Sequence, residues 1–251
     1  MAITASDVNK LRQQTGAGMM DCKNALVEAN GDFEAAVDIL RKKGQKIAAK
    51  RGENEAREGV IFAQTTEDGT SGVVLTLNCE TDFVAKNDGF RDFVQSLLNI
   101  AIANGANSAE ELKAMSYDSK LTVEEKITEQ IGVIGEKLDL SGYAKVDAAK
   151  VVAYNHPGNQ LATLVALNSG SSVAEEAGRQ VAMQVAAMNP IALNKDGVDA
   201  RTIEREIEVG KDLAIQEGKP ADMADKIAQG RLAKFFKENT LLSQEFIRDN
   251  K

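Results

Sequence analysis

The chain has 251 residues, 43% of them apolar and 4% aromatic, with no tryptophan. This allows a sizeable core of Val, Ile, Leu and Ala in one large domain or two to three small ones, and it excludes wholesale disorder. The net charge of −8 runs against a general nucleic-acid binder, because phosphate neutralisation drives that kind of binding. No apolar run nears the ~18 residues of a membrane span. The opening MAITASDVNK lacks the basic-then-apolar order of a signal peptide. Cys22 and Cys79 read as reduced thiols of a cytoplasmic protein.

Residues 1–50 predict three short helices. Thr4 caps the first with Asp7 reaching back, Val8 and Leu11 form a small apolar face, and Gly16 ends it. TGAG (15–18) is a tight turn and no phosphate loop, since no strand precedes it and no Gly-Lys-Ser/Thr follows. The second helix runs from about Met19 to Ala29, with Met19, Cys22, Ala25, Leu26 and Ala29 at helical spacing. Two adjacent methionines cannot both face one small core. At least one of Met19 and Met20 is expected inside, and the other exposed as an adaptable contact residue. Asn30-Gly31 stops this helix, and Asp32 caps a third carrying Phe33, Ala36, Val37 and Leu40, with Gly44 closing it. The stretch RKKGQKIAAKR (41–51) holds cations and no acid. It reads as a solvated helix end and linker, with contact to an acidic partner as the alternative.

A hairpin followed by a helix then appears twice. The first unit has strands GVIFAQ (59–64) and VVLTLNC (73–79) around the turn TTEDGTSG, then a helix at about 89–104. The second has KVVAYN (150–155) and LATLVAL (161–167) around HPGN, then a helix at about 173–188. Such a repeat predicts two related subdomains, each an antiparallel sheet with a helix laid on it. Between them, 108–139 reads as helices, AEELKAMS and TVEEKITEQIGVIGEKL. Beyond Pro190, helices at 199–217 and 221–238 are joined by EGKP, whose Gly218 and Pro220 stop one and start the other. Their stripes, Ile203, Ile207, Gly210, Leu213 and Ala214 facing Met223, Ile227, Gly230 and Ala233, are narrow, as for helices that mostly bury each other. Reflection about the turn sets Gly210 opposite Gly230. At 1.5 Å per residue each arm is about 25–30 Å long. The expected fold class is therefore α+β: an N-terminal three-helix domain, two related antiparallel-sheet-plus-helix subdomains, and a protruding antiparallel helical hairpin.

The usual catalytic groupings are missing. The single histidine, His156, sits in the turn NHPGN. Without a second His, or cysteines at ligand spacing, a zinc site is not supported. His156 reads as an exposed turn residue, or as a partner contact. Glu80 and Asp82 would share a strand face, yet they offer two ligands where a hard cation takes about six. A hydrolase using them as a carboxylate pair is the enzyme alternative, although nothing else marks the pair. No catalytic residue, metal or cofactor is expected. The stretch NCETDFVAKNDGF (78–90) raises a different question. After the strand core VVLTL (73–77), a lone Phe83 stands among Glu80, Thr81, Asp82 and Lys86. The residues alone allow a plug for the chain's own core or a tool aimed at a partner. Separate modules without an active site favour a binding protein. A scaffold holding ubiquitin-like or RNA partners through 41–51 is one such reading.

Two long motifs narrow these alternatives. LRQQTGAGMMDCKNALVEANGDFEAAVDILRKKG (11–44) resembles the N-terminal signature of the bacterial elongation factor Ts family, and NCETDFVAKND (78–88) resembles its second signature. EGKP with IAQGRLAKFF (227–236) is similar to the family's helical hairpin. The resemblance covers nearly the whole chain in order. It implies a guanine-nucleotide exchange factor for elongation factor Tu, the GTPase that carries aminoacyl-tRNA to the ribosome. It implies a ubiquitin-associated-like (UBA-like) head at 1–55, a core N-subdomain at 56–145, and a core C-subdomain at 146–251 with a coiled-coil hairpin at about 198–238. Thr81, Asp82, Phe83 and Val84 would intrude beside the GTPase's Mg²⁺ site. Met19, Met20 and Lys23 would contact its nucleotide-binding domain from the head, and His156 would face its third domain. The implied protein is cytoplasmic and has no catalytic chemistry, cofactor, membrane or direct nucleic-acid contact of its own. A dimer of heterodimers is compatible with it. VVLTL then becomes the mount of an exposed Phe83 and the helix from Gly89 its brace. Family members usually continue past LLSQEFIRDNK with a short helix and a final strand. Either the second sheet lacks an edge strand, or the sequence is short of its end.

Overall fold

The computed structural model describes residues 3–248. Mixed helix and antiparallel sheet give the expected α+β class, in two compact units divided between Gly178 and Arg179.

The first unit opens with α1 (Ala5–Thr15), α2 (Met19–Glu28) and α3 (Phe33–Arg51). The capping box forms: the Asp7 amide donates to the Thr4 hydroxyl oxygen at 3.2 Å, and the Thr4 amide to the Asp7 carboxylate at 3.0 Å. Gly16 takes the left-handed conformation that ends α1, and the Asp32 carboxylate accepts the Glu34 and Ala35 amides at the start of α3. Val8, Leu11, Ala17, Cys22, Ala25, Leu26 and Ala36 make a small core.

The third helix corrects two expectations. Gly44 does not close it, and 41–51 is no linker. The helix runs on to Arg51 because its second half has a surface to bury: Ile47 and Ala48 pack against the main core, and Gly44 faces another helix.

Next come β1 (Glu58–Thr65), β2 (Ser71–Cys79), the one-turn α4 (Asp82–Ala85), α5 (Asp88–Asn104), α6 (Ala109–Ala114), α7 (Val123–Ile134) and β3 (Asp139–Asp147). The three strands form an antiparallel sheet in the order β1-β2-β3. Val60, Val73, Leu75 and Leu77 from the sheet meet Phe90, Phe93, Val94, Leu97 and Leu98 of α5, and Ile127 and Ile131 of α7, in the main core. Burying a side chain of this size is worth roughly 1.5–3 kcal/mol, so this cluster dominates the stability of the unit.

Strand β3 was not expected. DLSGYAKVD carries few apolar residues because it is an edge strand with Leu140 as its buried hydrophobe. Its Gly142 lets β2 approach; a Cβ there would lie 2.9 Å from the Thr76 hydroxyl oxygen. The preceding helix is correspondingly shorter than TVEEKITEQIGVIGEKL, since left-handed Gly135 ends it.

A second sheet pairs β4 (Lys150–Asn155) with β5 (Ala162–Leu167). The Asn155 side chain accepts from the Ala63 amide at 2.8 Å and donates to its carbonyl at 2.9 Å. It thereby occupies backbone groups on the open edge of β1, where another chain could otherwise pair. Helix α8 (Ser172–Met188) contains the boundary between the units.

In the second unit α9 (Ala200–Gln216) and α10 (Ala221–Asn239) pair as an antiparallel hairpin. Its seam differs from the expected one. Gly210 and Ala214 of α9 and Ala224, Ala228 and Leu232 of α10 are the buried positions, while Leu213, Met223, Gly230 and Ala233 are exposed. Gly210 lies against Ala228; nothing stands within 4 Å of a Cβ built on Gly230. The reason is the helical period. Ala224, Ala228 and Leu232 recur every fourth residue on one face, and Gly230, two positions off, points roughly 200° away from Ala228. Among the described residues no helix is long and apolar enough to cross a membrane.

Candidate functional site

Strand β2 delivers the chain to the Phe83 turn, and three neighbouring side chains set its path. Cys79 is fully buried and its thiol donates to the Thr81 carbonyl at 3.2 Å. Burial, then the nearby Glu136 carboxylate, pushes that thiol up to about 11. The Glu80 carboxylate accepts from the Lys137 amide at 2.6 Å, from Arg51 Nη1 at 2.9 and 2.8 Å, and from Asn54 Nδ2 at 3.0 Å. These donors, the Lys137 amide foremost, hold it below the usual carboxylate range. Glu136 accepts the Glu80 and Thr81 amides at 3.1 and 3.0 Å and the Thr81 hydroxyl at 2.7 Å. Thr81 begins α4 with its hydroxyl committed to Glu136 rather than to the helix end.

The helical turn that follows sorts its residues by direction. Ala85 is buried and Val84 packs against the main core, so Phe83 faces outward at 84% exposure. Asp82 pairs with Lys86 at 2.7 Å along the turn, and hydrogen bonding to that cation lowers the Asp82 carboxyl. Asn87 then caps α5 by accepting the Phe90 amide, and Phe90 and Phe93 turn inward. An apolar groove lined by Phe83, Val84, Phe90, Val133 and Ile134 runs beside the turn. A bare phenyl ring next to such a groove is chemically suited to entering a partner's apolar cleft.

The turn thus brings Thr81, Asp82, Phe83 and Val84 together, with only the phenyl ring fully presented. The carboxylates of Glu80 and Asp82 have separate partners, Arg51, Asn54 and Lys137 for one and Lys86 for the other. Neither is free to form the two-carboxylate site considered from the sequence. No group of three or more His, Cys, Asp or Glu that could hold a metal occurs among the described residues.

On the head, Met19 and Met20 are 50% and 62% exposed, and Lys23 is exposed as well. The expectation that one methionine lies in the core is therefore corrected. Ala17 in the preceding turn, with Cys22, Ala25 and Leu26 on α2, already closes the small core. His156 stands exposed in the turn between β4 and β5, a different hairpin from the one that leads to Phe83, with Nδ1 2.9 Å from the Tyr154 hydroxyl.

The sequence reading missed Arg51, Glu136 and Lys137. The available signal was Gly135, a helix-ending glycine followed directly by a charged pair.

The family described as Elongation factor TS matches residues 80–251. Similar proteins carry the name Elongation factor Ts. The one from Christiangramia forsetii is 54% identical over 99% of this chain and 90% of its own length, that from Amoebophilus asiaticus 53% over 100% and 90%, and that from Flavobacterium psychrophilum 52% over 99% and 89%. With a match across most of the sequence and relatives this similar along nearly all of it, the chain belongs to the elongation factor Ts family and is a translation elongation factor of protein biosynthesis.

Proposed function

We propose that this protein is a guanine-nucleotide exchange factor for elongation factor Tu, acting in the cytoplasm without catalytic chemistry or a cofactor of its own. The observation that carries the reading is Phe83, 84% exposed on a turn whose base is fixed by hydrogen bonds on both sides. In this reading Thr81, Asp82, Phe83 and Val84 enter the GTPase beside its Mg²⁺ site. The head at 1–55 docks on the nucleotide-binding domain through Met19, Met20 and Lys23. The core parts at 56–145 and 146–251 hold the remaining surface, with His156 facing the third domain. The reading involves no membrane and no direct nucleic-acid contact, and it is compatible with a dimer of two such complexes.

Energetics set the division of labour. Mg²⁺ bridges phosphate oxygens and the GTPase, so disturbing its ligands loosens the nucleotide. A thousandfold loss of nucleotide affinity needs about 4 kcal/mol, while burying one Phe supplies roughly 1.5–3 kcal/mol. The head and core contacts must provide the rest. By linkage, the factor this protein removes from nucleotide binding is the factor the nucleotide removes from its own binding. Incoming GTP can therefore expel it.

The direct test is release of a fluorescent GDP analogue from elongation factor Tu. Catalytic amounts of the protein should accelerate it; no acceleration at micromolar concentration overturns the reading.

A further inference from the structure

The two residues after the left-handed end of α7 reach in two directions. The Glu136 side chain takes the Glu80 and Thr81 amides and the Thr81 hydroxyl. The Lys137 amide donates to the Glu80 carboxylate, and the Lys137 ammonium donates to the Gly52 and Asn54 carbonyls at 2.8 and 2.9 Å. Arg51, the last residue of α3, closes the ring on Glu80. Ends of three elements, the head's third helix, β2 and α7, are thereby joined within one hydrogen-bond network. The same two helices also touch at Gly44 and Gly132. A helix held at residue 44 and again at residue 51, about 10 Å along its axis, has no hinge about which to swing.

We propose that Glu136 is a positioning residue for exchange: through the Thr81 amide and hydroxyl it fixes the Phe83 turn in a set orientation relative to the head, so that both contacts meet the GTPase together. This rests on the exchange reading above. Glu136 touches neither nucleotide nor metal and acts through Thr81. Its two oxygens serve three donors, the two amides on one oxygen and the hydroxyl on the other, and a methionine of similar size offers neither oxygen. Glu136→Met keeps about the same size and removes both carboxylate acceptors of the clamp. Losing one such hydrogen bond changes the ratio of held to released turn about tenfold, and the variant loses more than one.

The experiment uses the full-length protein and its Glu136→Met variant. It reads three quantities: GDP release from elongation factor Tu at saturating factor, the affinity for the GDP-bound GTPase, and hydrogen exchange of the Glu80 and Thr81 amides in the free protein. The saturated release rate is expected to fall about tenfold and the affinity by less than about threefold. The two amides should exchange about tenfold faster while amides of α5 keep their protection. Equal losses of rate and affinity, or a variant matching the wild type in rate, would show that Glu136 does not position the turn for exchange. A wild type that releases no GDP overturns the exchange reading instead. In that case unchanged Glu80 and Thr81 protection in the variant refutes the positioning, and selective loss upholds the clamp on the turn.

Discussion

Gly44 of α3 and Gly132 of α7 lie backbone to backbone: a Cβ built on Gly132 would sit 2.7 Å from the Gly44 Cα, and one on Gly44 3.0 Å from the Thr128 carbonyl oxygen. Two helices come this close only where both lack side chains. Each interior glycine costs roughly 1 kcal/mol of helix propensity, and contact between the helices offsets it. Gly44, which looked like a stop in the sequence, is instead the crossing point that joins the head to the sheet-bearing part of the first unit.

Gly132→Ala should therefore destabilise the protein although it improves helix propensity. Overpacking costs about 1–3 kcal/mol against a propensity gain of about 1 kcal/mol, leaving a net loss on the order of 1 kcal/mol. Urea denaturation checks this; a variant more stable than wild type would mean that the crossing is loose.

Phe83→Ala separates folding from function. With its ring in solvent, the substitution should change stability by no more than about 0.5 kcal/mol. It should slow GDP release from elongation factor Tu more than it weakens binding. Thermal unfolding of the free protein and stopped-flow release measure the two; equal losses of rate and affinity would reduce Phe83 to an anchor.

Glu80 makes stability pH-dependent with a definite sign. Its carboxyl is held down in the folded chain by the Lys137 amide, Arg51 and Asn54. Its stabilisation is therefore complete above the unfolded value of ~4.3 and is lost as pH falls below that through the lowered native value. Compared with Glu80→Gln, the wild type should be more stable at pH 7 by on the order of 1 kcal/mol. The advantage should shrink as pH drops from about 5 to about 3. Parallel melting curves for the two proteins over that range would argue that the carboxylate is not engaged in solution.

The helical hairpin offers a paired test. Gly230→Ala meets no atom within 4 Å and should stabilise by about 0.5–1 kcal/mol through propensity alone. Gly210→Ala meets Ala228 Cα and Cβ at 3.2 Å and should forfeit that gain. Denaturant midpoints decide it, and an equal gain at both positions would displace Gly210 from the seam.

Local chemistry carried most of what could be read in advance. Thr4 with Asp7, Gly16, Asp32 and the hairpin strands follow from rules that act over a few residues, and the structure realises them. Strand β3 escaped because an edge strand needs few apolar residues. The hairpin seam was misassigned because it is lined largely by alanine and glycine, whose small size matters more there than their hydrophobicity. Met19 and Met20 were judged against a core whose size depends on Ala17, a residue with no periodic signal.

The sequence by itself determined the α+β class, the family, and the presence of one aromatic residue in a polar turn after a buried strand. Only the tertiary structure decided where that residue points. Ala85 and Phe90 face inward, so the turn leaves Phe83 outside. The bonds that fix its base come from Arg51, Glu136 and Lys137, which lie far from it in the chain. Pattern and capping rules describe neighbours along the backbone. The orientation of an exposed ring depends on packing and on hydrogen bonds between distant segments, which form only once the chain has folded.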